Sequence, residues 1–83
     1  MNPDQREIDF VVIKDRKPIF AVECKTGEAA ISKNISYFKQ RTGIPNFYQV
    51  HLGKKEFGNA AKDGQMLPIH RFIEDVLKGA SSF

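Results

Sequence analysis

The sequence predicts a small mixed α/β domain with the element order β-β-α-β-α. Two short apolar runs, Ile8–Ile13 and Ile19–Lys25, lie near the N-terminus and are rich in β-branched residues. Two later segments carry apolar residues at helical spacing, one ending at Thr42 and one following Pro68. A third strand-like run, Phe47–Leu52, lies between these helices.

The first two strands are predicted to form an antiparallel hairpin, because the Asp15-Arg16-Lys17-Pro18 stretch between them favours a turn. Both strands carry apolar residues on both faces, which predicts central strands that are covered on each side. Such a hairpin needs neighbours at both edges, and the sequence offers one further predicted strand.

The first helix is predicted to begin near Ala29 or Ser32 and to end at Thr42. Ser32 is a suitable N-cap residue, and Pro45 prevents continuation of the helix. The apolar stripe of this helix consists of Ile31, Ile35 and Phe38.

The C-terminal half is predicted to hold one strand, a loop and a helix. In the third strand, Tyr48, Val50 and Leu52 should share one face. Residues 53–66 contain three glycines and several charges, which predicts a loop. Pro68 suits the first turn of the last helix. The apolar stripe of that helix consists of Ile69, Phe72, Ile73, Val76 and Leu77.

The length of 83 residues predicts a single small domain over residues 1–83 with a modest core. Cys24 is the only cysteine, so no disulfide can form within one chain, and a reducing, cytoplasmic setting is expected. Cys24, His51 and His70 are too widely spaced to predict a four-ligand zinc site. We therefore expect a homo-oligomer, or a chain that is part of a larger domain.

Membrane insertion is not expected, because no apolar run approaches the ~20 residues that a spanning helix needs. The net charge of +3 is compatible with nucleic acid as a partner. A charge of this size is also common in ordinary globular proteins.

Two acidic residues interrupt the apolar hairpin strands, and their placement depends on the hairpin register. With a three-residue loop, Asp9 faces Glu23 and Glu7 faces Lys25 on one side of the sheet. A two-residue loop would instead place Asp9 opposite Val22. Facing carboxylates would be roughly 4.5–5.5 Å apart at Cβ, where they repel unless a cation bridges them.

An ordinary interpretation of these charges is also open. Glu7 and Lys25 would then form a cross-strand ion pair, and Asp9 and Glu23 would lie in water at the end of the sheet. The apolar surroundings favour a site instead, because an unpaired charge is costly to bury within such strands.

The segments Glu7–Val12 and Ala21–Lys25 resemble the D…E-x-K signature of the PD-(D/E)-x-K nuclease superfamily. A more specific resemblance, over about residues 5–78, is to a domain of unknown function at the C-terminus of many bacterial and archaeal AAA-type ATPases. This second resemblance rests on an ordered set of motifs: Arg6–Val11, Lys17-Pro18-Ile19, E-x-K, Ser32-Lys33-Asn34 with Tyr37-Phe38, and Leu67-Pro68.

The resemblance implies a partial restriction-endonuclease-like core and Mg²⁺-dependent hydrolysis of DNA, with Mn²⁺ as a substitute. Asp9 and Glu23 would be the metal ligands, Lys25 the catalytic lysine, and Glu7 and Gln40 auxiliary residues. The superfamily core has a further helix and strand before the aspartate, which implies that this chain is the C-terminal part of a larger nuclease-like domain. No G-x-x-x-x-G-K-[ST] phosphate loop is present, so an ATPase would have to lie elsewhere.

Three basic residues of the first helix, Lys33, Lys39 and Arg41, are candidate nucleic-acid contacts, although a solvated helix face is the simpler alternative. Cys24 alternates away from Glu23 and Lys25 and is interpreted as a core residue. The rival function is a catalytically inactive interaction or dimerisation module attached to an ATPase.

Overall fold

The structure, a computed structural model, describes residues 8–27 and 30–78. The elements are β1 (Phe10–Lys14), β2 (Lys17–Cys24), α1 (Lys33–Arg41), β3 (Phe47–His51), β4 (Phe57–Asn59), β5 (Gly64–Pro68) and α2 (Ile69–Arg71), which continues into a π-helical segment, Phe72–Leu77. The strands form one sheet in the order β1-β2-β3-β5-β4. The mixed α/β class predicted from the sequence is confirmed.

The three central strands, β2, β3 and β5, are parallel, and β1 and β4 pair antiparallel to them at the two edges. Each face of the sheet has its own apolar core. The buried residues of the core between α1 and the sheet are Ala21, Ile35 and Phe47. The buried residues on the opposite face are Phe20, Val22, Val50, Leu67 and Phe72. In open α/β sheets, ligands bind at the carboxyl ends of the parallel strands, which here are the ends of β2, β3 and β5.

The predicted loop over residues 53–66 is wrong, because this stretch forms the β4–β5 hairpin and places β5 beside β3. Gly58 and Gly64 have φ values of 95° and 100°, a conformation that glycine adopts readily. A Cβ built on Gly64 would lie 3.0 Å from a methyl of Ile35 on α1. Two of the three glycines that suggested a loop, Gly58 and Gly64, are therefore strand residues, and Gly64 permits a close approach of α1.

The prediction that β1 is a central strand is wrong, because β1 forms one edge of the sheet. Its large apolar side chains are consequently exposed: Ile13 is 64% exposed, and Phe10 and Val11 also face solvent. Exposed apolar edge strands offer their free backbone groups to another strand.

The hairpin turn has two residues, Asp15 and Arg16, the shorter of the two loop lengths considered, and both have positive φ. Lys14 accordingly pairs with Lys17. A β-bulge at Ile19 then shifts the register by one residue. From Val12 onward the pairing is the one that a three-residue loop would have produced.

Helix α1 begins after Ser32, which is one of the two predicted starting positions. The Ser32 side chain caps the helix by accepting the Asn34 N–H at 3.1 Å. The last residue is Arg41, and the Thr42 N–H donates to the Phe38 carbonyl at 2.9 Å. The first turn is therefore fixed directly above the end of the sheet.

The C-terminal helix departs from the predicted α-helical stripe. Pro68 ends β5 instead of lying in the helix. Further on, the Lys78 N–H bonds the Ile73 carbonyl five residues back, as in a π-helix. The wider turn leaves Ile69 and Ile73 exposed, while three predicted stripe residues pack on the core: Phe72, Val76 and Leu77.

Tyr48 and Val50 share one core face as predicted, but Leu52 lies beyond β3 and is exposed.

Among residues 8–27 and 30–78, none of the helices has the length and apolar character required to cross a membrane.

Candidate functional site

Glu23 is a buried carboxylate near the C-terminal end of β2, on the face covered by α1, and its side chain is only 7% exposed. Lys25 Nζ lies 3.3 Å from Glu23 Oε1, and Asn34 Nδ2 donates to the same oxygen at 3.4 Å. The second oxygen, Oε2, is buried and has no hydrogen-bond partner within the described part of the chain. A carboxylate oxygen in this condition is a strong acceptor for a cation or a donor that enters from outside.

Lys25 forms the solvent-exposed rim of this site. Its side chain is 39% exposed, so the ammonium can contact both Glu23 and a bound molecule. Its backbone N–H donates to the Val50 carbonyl at 2.8 Å, which extends the pairing of β2 with β3 by one residue. The lysine is thus flexible at its tip and fixed at its backbone.

Asp9 is not a ladder partner of Glu23, which corrects the predicted facing pair. The regular pairing of β1 with β2 ends at Phe10 and Val22, and the Asp9 N–H also donates to the Val22 carbonyl at 3.1 Å. The Asp9 carboxylate turns back to β2, where Oδ2 accepts the Cys24 N–H at 2.6 Å. Its short side chain therefore takes the place of a backbone acceptor beside Glu23.

Cys24 lies between Glu23 and Lys25 in sequence, and its backbone N–H donates to Asp9. Burial raises the pKa of its thiol, and the negative charges of Asp9 and Glu23 raise this pKa further. The thiol is nevertheless exposed at the end of β2, so the expectation that Cys24 is a core residue is wrong. A thiol with a raised pKa is a poor nucleophile, which agrees with its exclusion from the candidate catalytic set.

Gln49 is a site residue that the sequence prediction missed. It is fully buried and lies beside Glu23 in the parallel pairing of β2 with β3. Its side-chain oxygen accepts the Ser32 N–H at 2.8 Å, and its nitrogen donates to the Ala30 carbonyl at 3.1 Å. These bonds tie the start of α1 to β3 and thereby position Asn34 over Glu23. A polar residue within an apolar strand was the signal for this role.

Of the other predicted residues, Glu7 lies outside the described residues. Lys33, Lys39 and Gln40 line a groove between α1 and the turn that joins β4 to β5. The Arg41 guanidinium lies 3.9 Å from the centre of the Tyr37 ring and donates to the Tyr37 carbonyl.

His51 is buried and fully bonded, so it is a structural residue. The Gly53 N–H donates to Nδ1 at 2.9 Å, which makes Nε2 the protonated nitrogen. Nε2 donates to the Lys55 carbonyl at 2.7 Å. His70 is exposed.

Within residues 8–27 and 30–78, no group of three or more histidine, cysteine, aspartate or glutamate side chains is arranged to hold a metal ion. The carboxylates of Asp9 and Glu23 fit a metal ion that needs fewer ligands from the protein. Mg²⁺ is usually bound by one or two carboxylates and keeps several waters. The unbonded Glu23 Oε2 and the exposed Asp9 carboxylate are hard oxygen ligands of this kind.

Comparison with known proteins identifies the family. The family model described as a domain of unknown function, DUF4143, matches residues 2–72. The chain belongs to this family. DUF4143 occurs as a C-terminal domain of AAA-type ATPases, in agreement with the more specific of the two resemblances. Neither the curated proteins nor the solved structures gave a significant match.

Proposed function

We propose that this DUF4143 chain provides a metal-dependent site for hydrolysis of DNA phosphodiester bonds, in association with an AAA-type ATPase in the cytoplasm. Asp9 and Glu23 would hold Mg²⁺, and Lys25 would contact the reacting phosphate. The observation that carries the proposal is the buried Glu23 carboxylate, with one unbonded oxygen and a lysine 3.3 Å from the other.

The metal, Lys25 and Asn34 would each have a separate role in the reaction. Mg²⁺, when bound, would neutralise phosphate charge and lower the pKa of a coordinated water. Lys25 can donate to a phosphate oxygen or orient the attacking water, because its ammonium has three donors and Glu23 uses one. Asn34 donates to Oε1 of Glu23, so Oε2 is the oxygen that would bind the metal.

Nicking of supercoiled plasmid DNA in the presence of Mg²⁺ or Mn²⁺ tests this proposal. Lys25→Ala should abolish nicking, because it removes the ammonium beside Glu23 without touching the core. Lys17→Ala is the matched control, since Lys17 is exposed at the opposite end of the same strand. Nicking by the unaltered protein should also stop when EDTA is added.

Two results would count against the nuclease proposal. One is folded protein that leaves plasmid intact with either metal, and the other is equal nicking by Lys25→Ala and Lys17→Ala. Equal nicking would indicate a contaminating nuclease or a different site. Circular dichroism of each variant is needed beside the activity assay, so that loss of folding is recognised.

A second candidate function, a dimerisation module, is favoured by the exposed β1 edge. Its partner would be a second copy of the chain that pairs antiparallel along β1. Such pairing covers Ile13 and brings Asp9 of each copy towards the basic Lys14 end of the other. Ile13→Lys should convert a dimer to a monomer in sedimentation velocity, whereas Leu52→Lys, a change at another exposed apolar residue, should not.

A protein that is monomeric at high concentration would exclude this module. A dimer whose stability is equally insensitive to both lysine substitutions would place the interface elsewhere. Either outcome leaves the nuclease test above unaffected, because that test measures metal-dependent nicking.

A further inference from the structure

A second feature on the α1 face is a basic groove of about 460 Å³ between α1 and the turn that joins β4 to β5. We call it the lysine groove. Its basic and uncharged polar lining residues are Lys33, Lys39, Lys62, Ser32, Ser36 and Gln40. Among residues 8–27 and 30–78, Asp63 is the one acidic residue that lines it, together with three lysines.

The walls of the lysine groove are held in place by hydrogen bonds. Lys39 Nζ donates to the Ala61 carbonyl at 2.7 Å and lies 5.9 Å from the centre of the Phe47 ring. Within the turn, the Asn59 side chain accepts the Ala61 N–H at 2.9 Å, and the Lys62 N–H donates to the Asn59 carbonyl at 3.0 Å. The groove therefore exists before any ligand binds, which lowers the entropic cost of binding.

We propose that the lysine groove binds the phosphodiester backbone of a nucleic acid strand. Ammonium, hydroxyl and amide groups all donate to phosphate oxygens, and this lining supplies each type. The groove also includes the first turn of α1, which contains no acidic residue, so the helix dipole adds to the attraction. Because the lining is dominated by lysines, we expect binding to depend mainly on charge.

This assignment rests on the proposed function, because it supplies that site with its substrate. Lys33 lines the groove, and the next residue, Asn34, bonds Glu23. A strand bound in the groove would therefore pass over the first turn of α1 to reach Glu23 and Lys25. Arg41 was the third predicted nucleic-acid contact, but its guanidinium stacks on Tyr37. Lys62 lines the groove and is proposed as a contact in its place.

Fluorescence anisotropy of labelled single-stranded and duplex oligonucleotides over a salt series tests the groove. EDTA is present, so that cleavage cannot contribute. Lys33→Ala and Lys62→Ala should each lower the slope of log affinity against log salt by about 0.7 for single strands or about 0.9 for duplex. Carried over the tenfold interval between 1 M and 0.1 M salt, these slopes predict about five- to eightfold weaker binding at 0.1 M.

Two further variants sharpen the test. Asp63→Asn should tighten binding, because it removes a negative charge from the lining that contains the three lysines. Lys17→Ala is the control for total charge, since Lys17 is exposed near the other edge of the sheet. It should change neither the slope nor the affinity by the amounts expected for the groove lysines.

The assignment is overturned if Lys17→Ala weakens binding as much as Lys33→Ala and Lys62→Ala, or if none of the three changes the slope. Equally tight binding of poly-glutamate would also overturn it, because the groove would then select acidic peptides as well. Binding that follows these predictions without any nicking of plasmid would support the groove and reject only the nuclease proposal. Nicking without groove-dependent binding would support the nuclease proposal and reject the groove.

Discussion

Replacing Glu23 by glutamine should make the protein more stable without metal and insensitive to metal. The substitution preserves the side-chain shape and leaves an oxygen to accept from Asn34. It removes a buried negative charge, one oxygen of which has no partner within residues 8–27 and 30–78. A site that binds a cation commonly carries such a cost in stability when the cation is absent.

Two opposing terms set the magnitude. An unbonded buried polar atom costs about 1–3 kcal/mol and more when it is charged, and glutamine removes only the additional cost of the charge, because its amide nitrogen takes the Oε2 position. The ion pair that is lost with Lys25 is worth at most about 1 kcal/mol, because Lys25 is 39% exposed and screened by water. The net expectation is a gain of about 1 kcal/mol in the free energy of unfolding, or about 4–8 °C in Tm for a domain of this size.

Thermal melting followed by circular dichroism, in EDTA and in Mg²⁺, measures both effects. At a Mg²⁺ concentration ten times its Kd, the unaltered protein should gain about 1.4 kcal/mol, whereas Glu23→Gln should gain nothing. Glu56→Gln is the matched control, because Glu56 forms an exposed ion pair with Arg71. This control should change the stability by about 1 kcal/mol or less and retain the response to Mg²⁺.

The reasoning fails if Glu23→Gln is clearly less stable than the unaltered protein in EDTA. In that case the carboxylate would be fully compensated by Lys25 and Asn34, and no cation would be needed. It fails equally if Mg²⁺ raises the Tm of the unaltered protein and of Glu23→Gln by the same amount.

Three further predictions concern neighbouring residues. Gln49→Leu should lower the free energy of unfolding by about 1–3 kcal/mol for each of its two backbone partners left unbonded, as urea titration would show. Gly64→Ala should also destabilise the fold, because φ is +100° there and the new Cβ would press on α1; melting measures this, and an unchanged Tm would contradict it. The pKa of the Cys24 thiol is raised, so its alkylation, which requires the thiolate, should start at higher pH than in an unstructured peptide. Asp9→Asn should shift that alkylation profile to lower pH by removing one negative charge, whereas Asp15→Asn, in the distant turn, should leave it in place.

The sequence predicted those elements whose apolar pattern is regular and whose boundaries carry a capping residue. Helix α1 is the clearest case, since Ser32 caps it and Ile31, Ile35 and Phe38 pack against the sheet. The β4–β5 hairpin was missed because short strands with glycine look like a loop when only local preference is considered. Parallel pairing with β3, a long-range interaction, stabilises β5.

The structure brings Glu23 and Lys25 together as the strand pattern predicts, whereas the contacts of Asp9 and Gln49 differ from the prediction. Glu23 and Lys25 share one face because side chains alternate along a strand. From Phe10 to Val12 the register is the one expected for a three-residue loop although the turn has two residues, because a bulge at Ile19 compensates for the shorter turn. Bulges depend on tertiary packing, and here Ile19 and Phe20 both contribute to one core. The hydrogen bonds of Asp9 and Gln49 to backbone groups far away in the sequence could not be read from local patterns.

The central claim is that Asp9 and Glu23 form a binding site for a divalent cation beside Lys25. Anomalous diffraction from a crystal soaked in Mn²⁺ tests it most directly. We expect a peak within about 2.5 Å of Glu23 Oε2 and of an Asp9 carboxylate oxygen, and its loss in Glu23→Gln crystals. A well-ordered soaked crystal with no peak at these oxygens, or with Mn²⁺ bound only elsewhere, would contradict the account.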